Sequence, residues 1–454
     1  MKNFDITIIG AGLSGPLMAC YLSEKGLSVD LYESRVDMRK NIDKSGRSIN
    51  LALSARGIKA LKDIGLFNSI RKNLIPMKGR MIHSIDGEKS LQLYGKNQNE
   101  VIYSISRSFL NISLLDHVED KKNIAISFDH KLSDVDFEQK TIFFGKKKIN
   151  FNKIIGADGF NSILRNCILK ETDLKFRSEQ LGHGYKELTI PVSESGDYLM
   201  EPDSLHIWPR GKFMLIALPN TDKTFTCTLF APLKGGNSFE KINTSNEILN
   251  FFKTQFPDTI ALIPNLVHDF ISNPVGKLSS IYCEKWNYKD LAIIMGDAAH
   301  AIVPFFGQGM NASFQDCTVI NNLIDENSLD LGSAFKAFGI EHVPNGHAIA
   351  NMALENYIEM RDSVSNPEYK KYRELELFLE NKFPNRFIPR YSMVSFNEIP
   401  YSEVYRRGEI QSEIIKDFLS GKISKSVRDK EILNKLSPIL NEKNKVKDDI
   451  KSIL

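Results

Sequence analysis

Gly10-Ala11-Gly12-Leu13-Ser14-Gly15 places three glycines at the GxGxxG spacing, with Glu33 eighteen residues beyond Gly15. The run Phe4–Ile9 before it is short and apolar, the pattern of a buried strand. Leu13 to Lys25 has helical spacing, and Ser28–Glu33 alternates like a second strand. In a strand–turn–helix of this kind the first glycine permits the tight turn. The second lets backbone approach a pyrophosphate, and the third permits close helix–strand packing. Backbone N–H groups at the helix start, aided by its dipole, hold the phosphates. A carboxylate at Glu33 suits an adenosine ribose hydroxyl pair. Gly10, Gly12, Gly15 and Glu33 therefore point to a bound dinucleotide, without choosing between FAD and NAD.

Two more turns follow strand-like runs. Gly156-Ala157-Asp158-Gly159 comes after Ile154–Ile155, and an ordinary Asp-Gly turn would account for it equally well. Gly296-Asp297-Ala298-Ala299-His300 comes after Leu291–Met295 and leads into Pro304-Phe305-Phe306-Gly307-Gln308-Gly309-Met310-Asn311. An acid at the strand end suits a ribityl or ribose hydroxyl. A helix beginning near Asn311 would set its positive end against a reduced isoalloxazine ring. A proline–glycine loop capping a helix is the plainer reading. His300 lies among Ala298, Ala299 and Ala301 with no nucleophile or metal ligand beside it, so a structural role is expected.

The elements that must hold these turns are spread along the chain. Helices are expected over Ala55–Gly65 and Arg107–Glu119, and strands around the Gly145 turn in 141–150. Short strands with turns at Asp86-Gly87 and Gly95 fill 77–104. A β-rich, aromatic section covers 183–232. Helices are expected at about 333–362, interrupted by Pro344, at 367–381, and in an amphipathic tail after about 408. Arg47–Leu53 reads as a polar-to-apolar entry into the helix at Ala55. The fold class is α/β: a Rossmann-like nucleotide domain with an inserted β-sheet substrate domain and a C-terminal helical region. The expected division is 1–75, 100–180 and 280–330 for the nucleotide domain, 76–99 and 181–279 for the substrate domain, and 331–454 for the helical region.

Composition bounds the function. The 454 residues carry 59 basic and 56 acidic side chains, and the last 44 hold 10 and 7 of them. The body of the chain is therefore neutral, which disfavours nucleic acid as a partner. Five cysteines with no CxxC disfavour disulfides, a zinc site and a dithiol redox centre, and suit buried thiols in a reducing cytoplasm. No apolar run reaches the roughly 18 residues of a spanning helix. Met1 leads into a strand within four residues, so no signal peptide is expected.

The order and spacing of the three turns resemble the flavoprotein aromatic hydroxylases, the single-component FAD monooxygenases related to para-hydroxybenzoate hydroxylase. Asp158-Gly159 looks like that family's DG motif and Gly296-Asp297 like its GD motif. Further stretches are similar to the family's kynurenine-hydroxylating branch: Gly46-Arg47-Ser48-Ile49-Asn50-Leu51-Ala52-Leu53, Lys78-Gly79-Arg80-Met81-Ile82-His83, Leu205-His206-Ile207-Trp208-Pro209, Ala353-Leu354-Glu355-Asn356-Tyr357-Ile358-Glu359-Met360 and Arg390-Tyr391-Ser392-Met393. The likeness covers about residues 4–410.

The resemblance implies bound FAD, transient NADPH, O2 as oxidant and L-kynurenine as substrate. It implies hydroxylation at ring position 3 through a flavin C4a-hydroperoxide, giving 3-hydroxy-L-kynurenine and water. No side chain is required as nucleophile or acid–base catalyst, and no metal is implied. By the same resemblance Arg80, Tyr94, Asn356 and Tyr391 hold the substrate, with Glu359 and Met360 one helical turn from Asn356. Phe230, Phe305 and Phe306 would pack near the aniline ring and flavin. Some relatives carry histidine where Phe306 stands, which removes any acid–base role there. For FAD the matching positions are Gly10, Gly12, Gly15, Glu33, Arg107, Leu132, Asp297, Met310 and Asn311, with Asp158 and Gly309 from the two motifs. A membrane-anchoring C-terminal segment found in mitochondrial members has no counterpart, and a homodimer stays open. Three alternatives remain. They are a two-nucleotide flavin reductase, disfavoured by the lack of a second GxGxxG, a hydroxylase of another aryl carboxylic or amino acid, and a flavin-binding sensor.

Overall fold

Four consecutive buried residues at Ile6–Ile9 and four more at Val29–Tyr32 can be satisfied only inside a sheet covered on both faces. In the computed structural model they form its centre. It describes residues 4–40, 50–97, 99–363, 367–384 and 386–422, together with 432, 435 and 436. Residues 46–49 of the resemblance, and the tail beyond 422 apart from those three residues, lie outside this description. The chain divides into two compact units. The first holds Met1–Leu74, Ile105–Glu179 and Ser279–Ala350; the second holds Ile75–Ser104, Gln180–Leu278 and Asn351–Leu454.

In the first unit Ile6–Ile9 pairs in parallel with Lys153–Gly156 on one side and Val29–Tyr32 on the other. Ile124–Ser127 and Ala292–Ile294 extend the parallel sheet, and Asn287–Tyr288 closes one edge antiparallel. The glycine turn, Gly156–Asp158 and Gly296–Asp297 thus all follow carboxyl ends of neighbouring strands. That is where open α/β sheets bind ligands. The expected helices occupy Ser14–Glu24, Ala55–Asp63, Arg107–Glu119 and Gly309–Glu326. The expected hairpin is Thr141–Phe144 with Lys147–Asn150.

The second unit is built on a mixed sheet. Strand Phe176–Ile190 pairs antiparallel with Phe225–Pro232, which pairs with Met214–Pro219, then Ser204–Pro209. Gly79–His83 adds in parallel beside Ser204–Pro209, and Lys89–Leu93 forms the edge. Alternate residues along these strands face helices Ser245–Gln255 and Leu266–Ser272 across a core of Leu188, Trp208, Leu215, Phe252 and Phe270. A second core joins helix Pro367–Lys382 to Tyr401–Leu419 through Leu375, Leu379, Ile414 and Ile415. The tail helix therefore begins at Tyr401, ahead of the expected 408. Residues 331–454, expected as a region of their own, are divided between the units, and the change falls inside helix Val343–Ile358. Nothing in a helical repeat marks such a boundary. Pro344 sits in the first turn of that helix, where a missing N–H costs nothing.

Candidate functional site

The glycine turn of the first unit is built by contact. Gly10 has φ +104°, and a Cβ there would lie 2.3 Å from the Ala157 carbonyl oxygen. A Cβ on Gly15 would lie 1.9 Å from the Gly10 carbonyl oxygen. Only glycine fits either place. A Cβ on Gly12 would meet nothing within 4 Å, so that glycine faces open space at the start of helix Ser14–Glu24. Space of that kind, beside free helix N–H groups, fits a pyrophosphate. Asn111, on helix Arg107–Glu119, clamps the turn by donating to the carbonyl oxygens of Ala11 at 3.2 Å and Gly12 at 3.0 Å.

Glu33 is buried at the end of Val29–Tyr32. Its Oε2 accepts the Ala11 N–H at 2.9 Å, and its Oε1 accepts Arg35 Nε at 2.8 Å. Burial acts to raise this carboxyl, but the Arg35 hydrogen bonds and charge prevail and hold it below the usual range. It is therefore an anion beside the turn, as a ribose-binding acid must be. Asp297 is exposed at the start of the short helix Asp297–His300, after Gly296 with φ +58°. Arg107 is exposed at the head of its helix, and Leu132 is buried.

Two positions carry local duties. Asp158 caps helix Ile163–Lys170, accepting from Ser162 Oγ at 2.5 Å and from the N–H groups of Ile163 and Leu164. Burial raises its carboxyl. Asn311 is fully buried and accepts the Ser54 N–H at 2.9 Å, while its amide nitrogen donates to Ala52 and Gly307 carbonyls. It fastens the start of helix Gly309–Glu326 to strand Asn50–Leu53. Gly309 and Met310 open that helix, and Phe305 and Phe306 are buried in the turn before it.

In the second unit Arg80 stands on strand Gly79–His83, with its side chain only 8% exposed. Its Nη1 donates to Glu359 Oε1 and its Nη2 to Asn356 Oδ1, each at 3.3 Å. The guanidinium lies 5.0 Å from the Tyr391 ring centre and 5.9 Å from that of Tyr94. These two rings stack at 4.8 Å with 9° between their planes. The Tyr94 hydroxyl is buried with no well-formed hydrogen bond. Asn356 also donates to Met360 Sδ at 3.2 Å, across the turn where the helix widens into the π-helical stretch Glu359–Ser363. Six of the expected substrate residues thus form one cluster: Arg80, Tyr94, Asn356, Glu359, Met360 and Tyr391. Phe230 lies on strand Phe225–Pro232, its ring 6.3 Å from that of Tyr185. Phe305 belongs to the first unit.

The cluster contains a buried cation held by one long ion pair and one long hydrogen bond, a flat aromatic wall and a buried hydroxyl. A planar guanidinium in that setting can take a carboxylate through paired bonds. Tyr369, not anticipated from sequence, donates to Glu359 Oε1 at 2.5 Å. Arg373 and the buried Glu376, an ion pair, follow it on helix Pro367–Lys382. Positions 369, 373, 376 and 380 share one helical stripe, a polar face toward the interior that periodicity could have revealed. His300, expected to be structural, is buried and bonded to Asp316, sixteen residues away. That partner was not foreseen.

Residues 3–325 match the family described as "FAD binding domain". The chain is 43% identical over 426 residues to "Kynurenine 3-monooxygenase" of Myxococcus xanthus (strain DK1622), covering 92% of each. It is 44% identical over 417 residues to the protein of that name in Stenotrophomonas maltophilia (strain K279a), covering 90% of this chain and 91% of that one. For Dictyostelium discoideum the figures are 40% over 435 residues, 93% and 94%. Among solved structures, the tetrameric form of 2-methyl-3-hydroxypyridine-5-carboxylic acid oxygenase is similar with a TM-score of 0.65 at 17% identity, covering 81% of this chain and 95% of that one. PqsL of P. aeruginosa in complex with 2-aminobenzoylacetate gives 0.64 at 16%, covering 80% and 97%. At these identities the two structures speak for the fold.

Proposed function

The chain belongs to the kynurenine 3-monooxygenase family, and on that premise we propose that it hydroxylates L-kynurenine at ring position 3. The reaction consumes NADPH and O2 and gives 3-hydroxy-L-kynurenine and water. The observation that carries this reading is Arg80: a buried guanidinium beside two stacked tyrosines and an asparagine. A small aryl amino acid matches it, with a carboxylate for the cation and a flat ring for an aromatic wall.

FAD, held by the first unit, would supply the redox chemistry between NADPH and O2. The remaining work falls to the chain. Gly10, Gly12 and Gly15 open the turn for the pyrophosphate, and Glu33 takes ribose hydroxyls. Asp297 is the acid for the ribityl or ribose end, and Met310 and the helix start at Gly309 face the ring system. Asn311 fixes that helix start; Asp158 fixes the turn at Gly159. In the second unit Arg80 takes the substrate carboxylate beside its long contacts to Asn356 and Glu359. The Tyr94 hydroxyl and the Asn356 amide offer further polar contacts. Tyr391 and Met360 line the apolar side and exclude water. The first unit is accordingly the FAD domain and the second the substrate domain.

Among the described residues no helix is long and apolar enough to cross a membrane. All five cysteines are buried and free. A reducing cytoplasm is the compartment that suits them. The test is NADPH oxidation by the purified, FAD-loaded protein with and without L-kynurenine. Faster oxidation with kynurenine supports the proposal. A rate indifferent to kynurenine but stimulated by another aryl acid would transfer the site to that substrate.

A further inference from the structure

Asp316 lies on helix Gly309–Glu326, is 1% exposed, and has no part in the cofactor contacts described above. Its Oδ2 accepts two hydrogen bonds from the same turn: the Gly296 N–H at 2.8 Å and His300 Nε2 at 2.6 Å. Those two residues bracket Asp297. Its Oδ1 accepts His342 Nε2 at 3.1 Å, from the next helical segment. Asn345 Nδ2 lies 3.2 Å from His342 Nδ1 on the far side of that ring. The His300 ring packs 4.8 Å from that of Trp286.

The turn is held from other sides too. Arg165 Nη1 donates to the Ala298 carbonyl at 2.9 Å. A Cβ on Gly296 would approach Ser313 Oγ to 2.9 Å, so the turn has no slack against the helix. Asp297 itself is exposed and makes none of these bonds. Its backbone is immobilised while its carboxylate is left available.

We propose that Asp316 is a positioning residue for the cofactor: with His300 it ties both ends of the Gly296–His300 turn to helix Gly309–Glu326 and so aims the Asp297 carboxylate. This rests on the assignment of Asp297 to FAD.

The test is a double-mutant cycle on FAD release from the holoenzyme, followed by the rise in flavin fluorescence after dilution. Asp297→Asn and Asp316→Asn should each speed release about tenfold, the effect of losing one charged hydrogen bond. If Asp316 acts through Asp297, the double variant releases FAD no faster than the faster single one. Wild-type release from Asp316→Asn would overturn the inference. So would a double variant whose acceleration is the product of the two singles, because that means independent action. Wild-type release from Asp297→Asn would instead remove the premise, and the inference with it. Should Asp316→Asn fail to fold, His300→Ala cuts only one of the two ties and enters the same cycle in its place.

Discussion

Arg80 shows how a residue's surroundings decide its chemistry. On sequence alone an arginine next to glycine reads as a surface turn. It is instead a strand residue with an almost wholly buried side chain, held by two 3.3 Å bonds and two aromatic rings. On the proposed function, removing it deletes the partner of the substrate carboxylate. Arg80→Ala should raise the Michaelis constant for kynurenine by roughly ten- to a hundredfold, with FAD content unchanged. Steady-state kinetics beside the flavin absorbance of the same preparation checks both halves. Tyr94→Phe removes a buried hydroxyl that faces Tyr391 and Arg80 without a well-formed hydrogen bond, so the larger part of its effect should fall on the liganded state. A severalfold rise in Michaelis constant with an unchanged melting temperature is expected. The grouping of residues 80, 356 and 391 was expected from whole stretches of resemblance, and the structure places them together with Tyr94. Tyr369 and Asp316 were not expected, because each matters through a partner that only the fold brings near.

At the scale of elements, the sequence was most readable where one pattern had one meaning. The strand Ile6–Ile9, the helix Arg107–Glu119 and the hairpin around Gly145 fall where periodicity and turn residues put them. It was least readable where side chains have local uses. Asp158 sits in a motif suggestive of cofactor binding, yet its oxygens cap a helix. The glycines separate these roles by experiment. Gly15→Ala sets a methyl 1.9 Å from the Gly10 carbonyl oxygen and should disorder the turn itself. Gly12→Ala meets no protein atom within 4 Å. It should leave the melting temperature of the FAD-free protein unchanged while markedly weakening FAD binding, read by flavin retained after desalting. Equal FAD retention in Gly12→Ala and wild type would place the pyrophosphate elsewhere.

For the whole molecule, the discontinuous order of the chain is the hardest feature to read. Each unit draws on three separate stretches, and one exchange occurs within a continuous helix. Stability against pH is also a whole-molecule property with a local source. Burial alone would raise the Asp316 carboxyl, but the charges and hydrogen bonds of His300 and His342 hold it well below the usual carboxylate range. Burial alone would lower the His300 imidazole, but Asp316 raises it above its ordinary value. The depressed carboxyl contributes stability at all pH above its unfolded value, lost as pH falls toward the folded one. The raised imidazole contributes stability below about pH 6.5, lost as pH rises through its folded value. Between those limits the pair acts in full. Urea midpoints across pH should therefore fall more steeply on both sides in wild type than in Asp316→Asn, which has no carboxylate to titrate.

The proposed reaction places one oxygen atom from O2 on kynurenine. The most direct measurement is the product mass when NADPH-driven turnover is run under isotopically labelled dioxygen. A product one oxygen heavier than kynurenine is expected, the added atom bearing the label, in proportion to the NADPH consumed. NADPH oxidation that leaves kynurenine unchanged, or an added oxygen drawn from water, would contradict it.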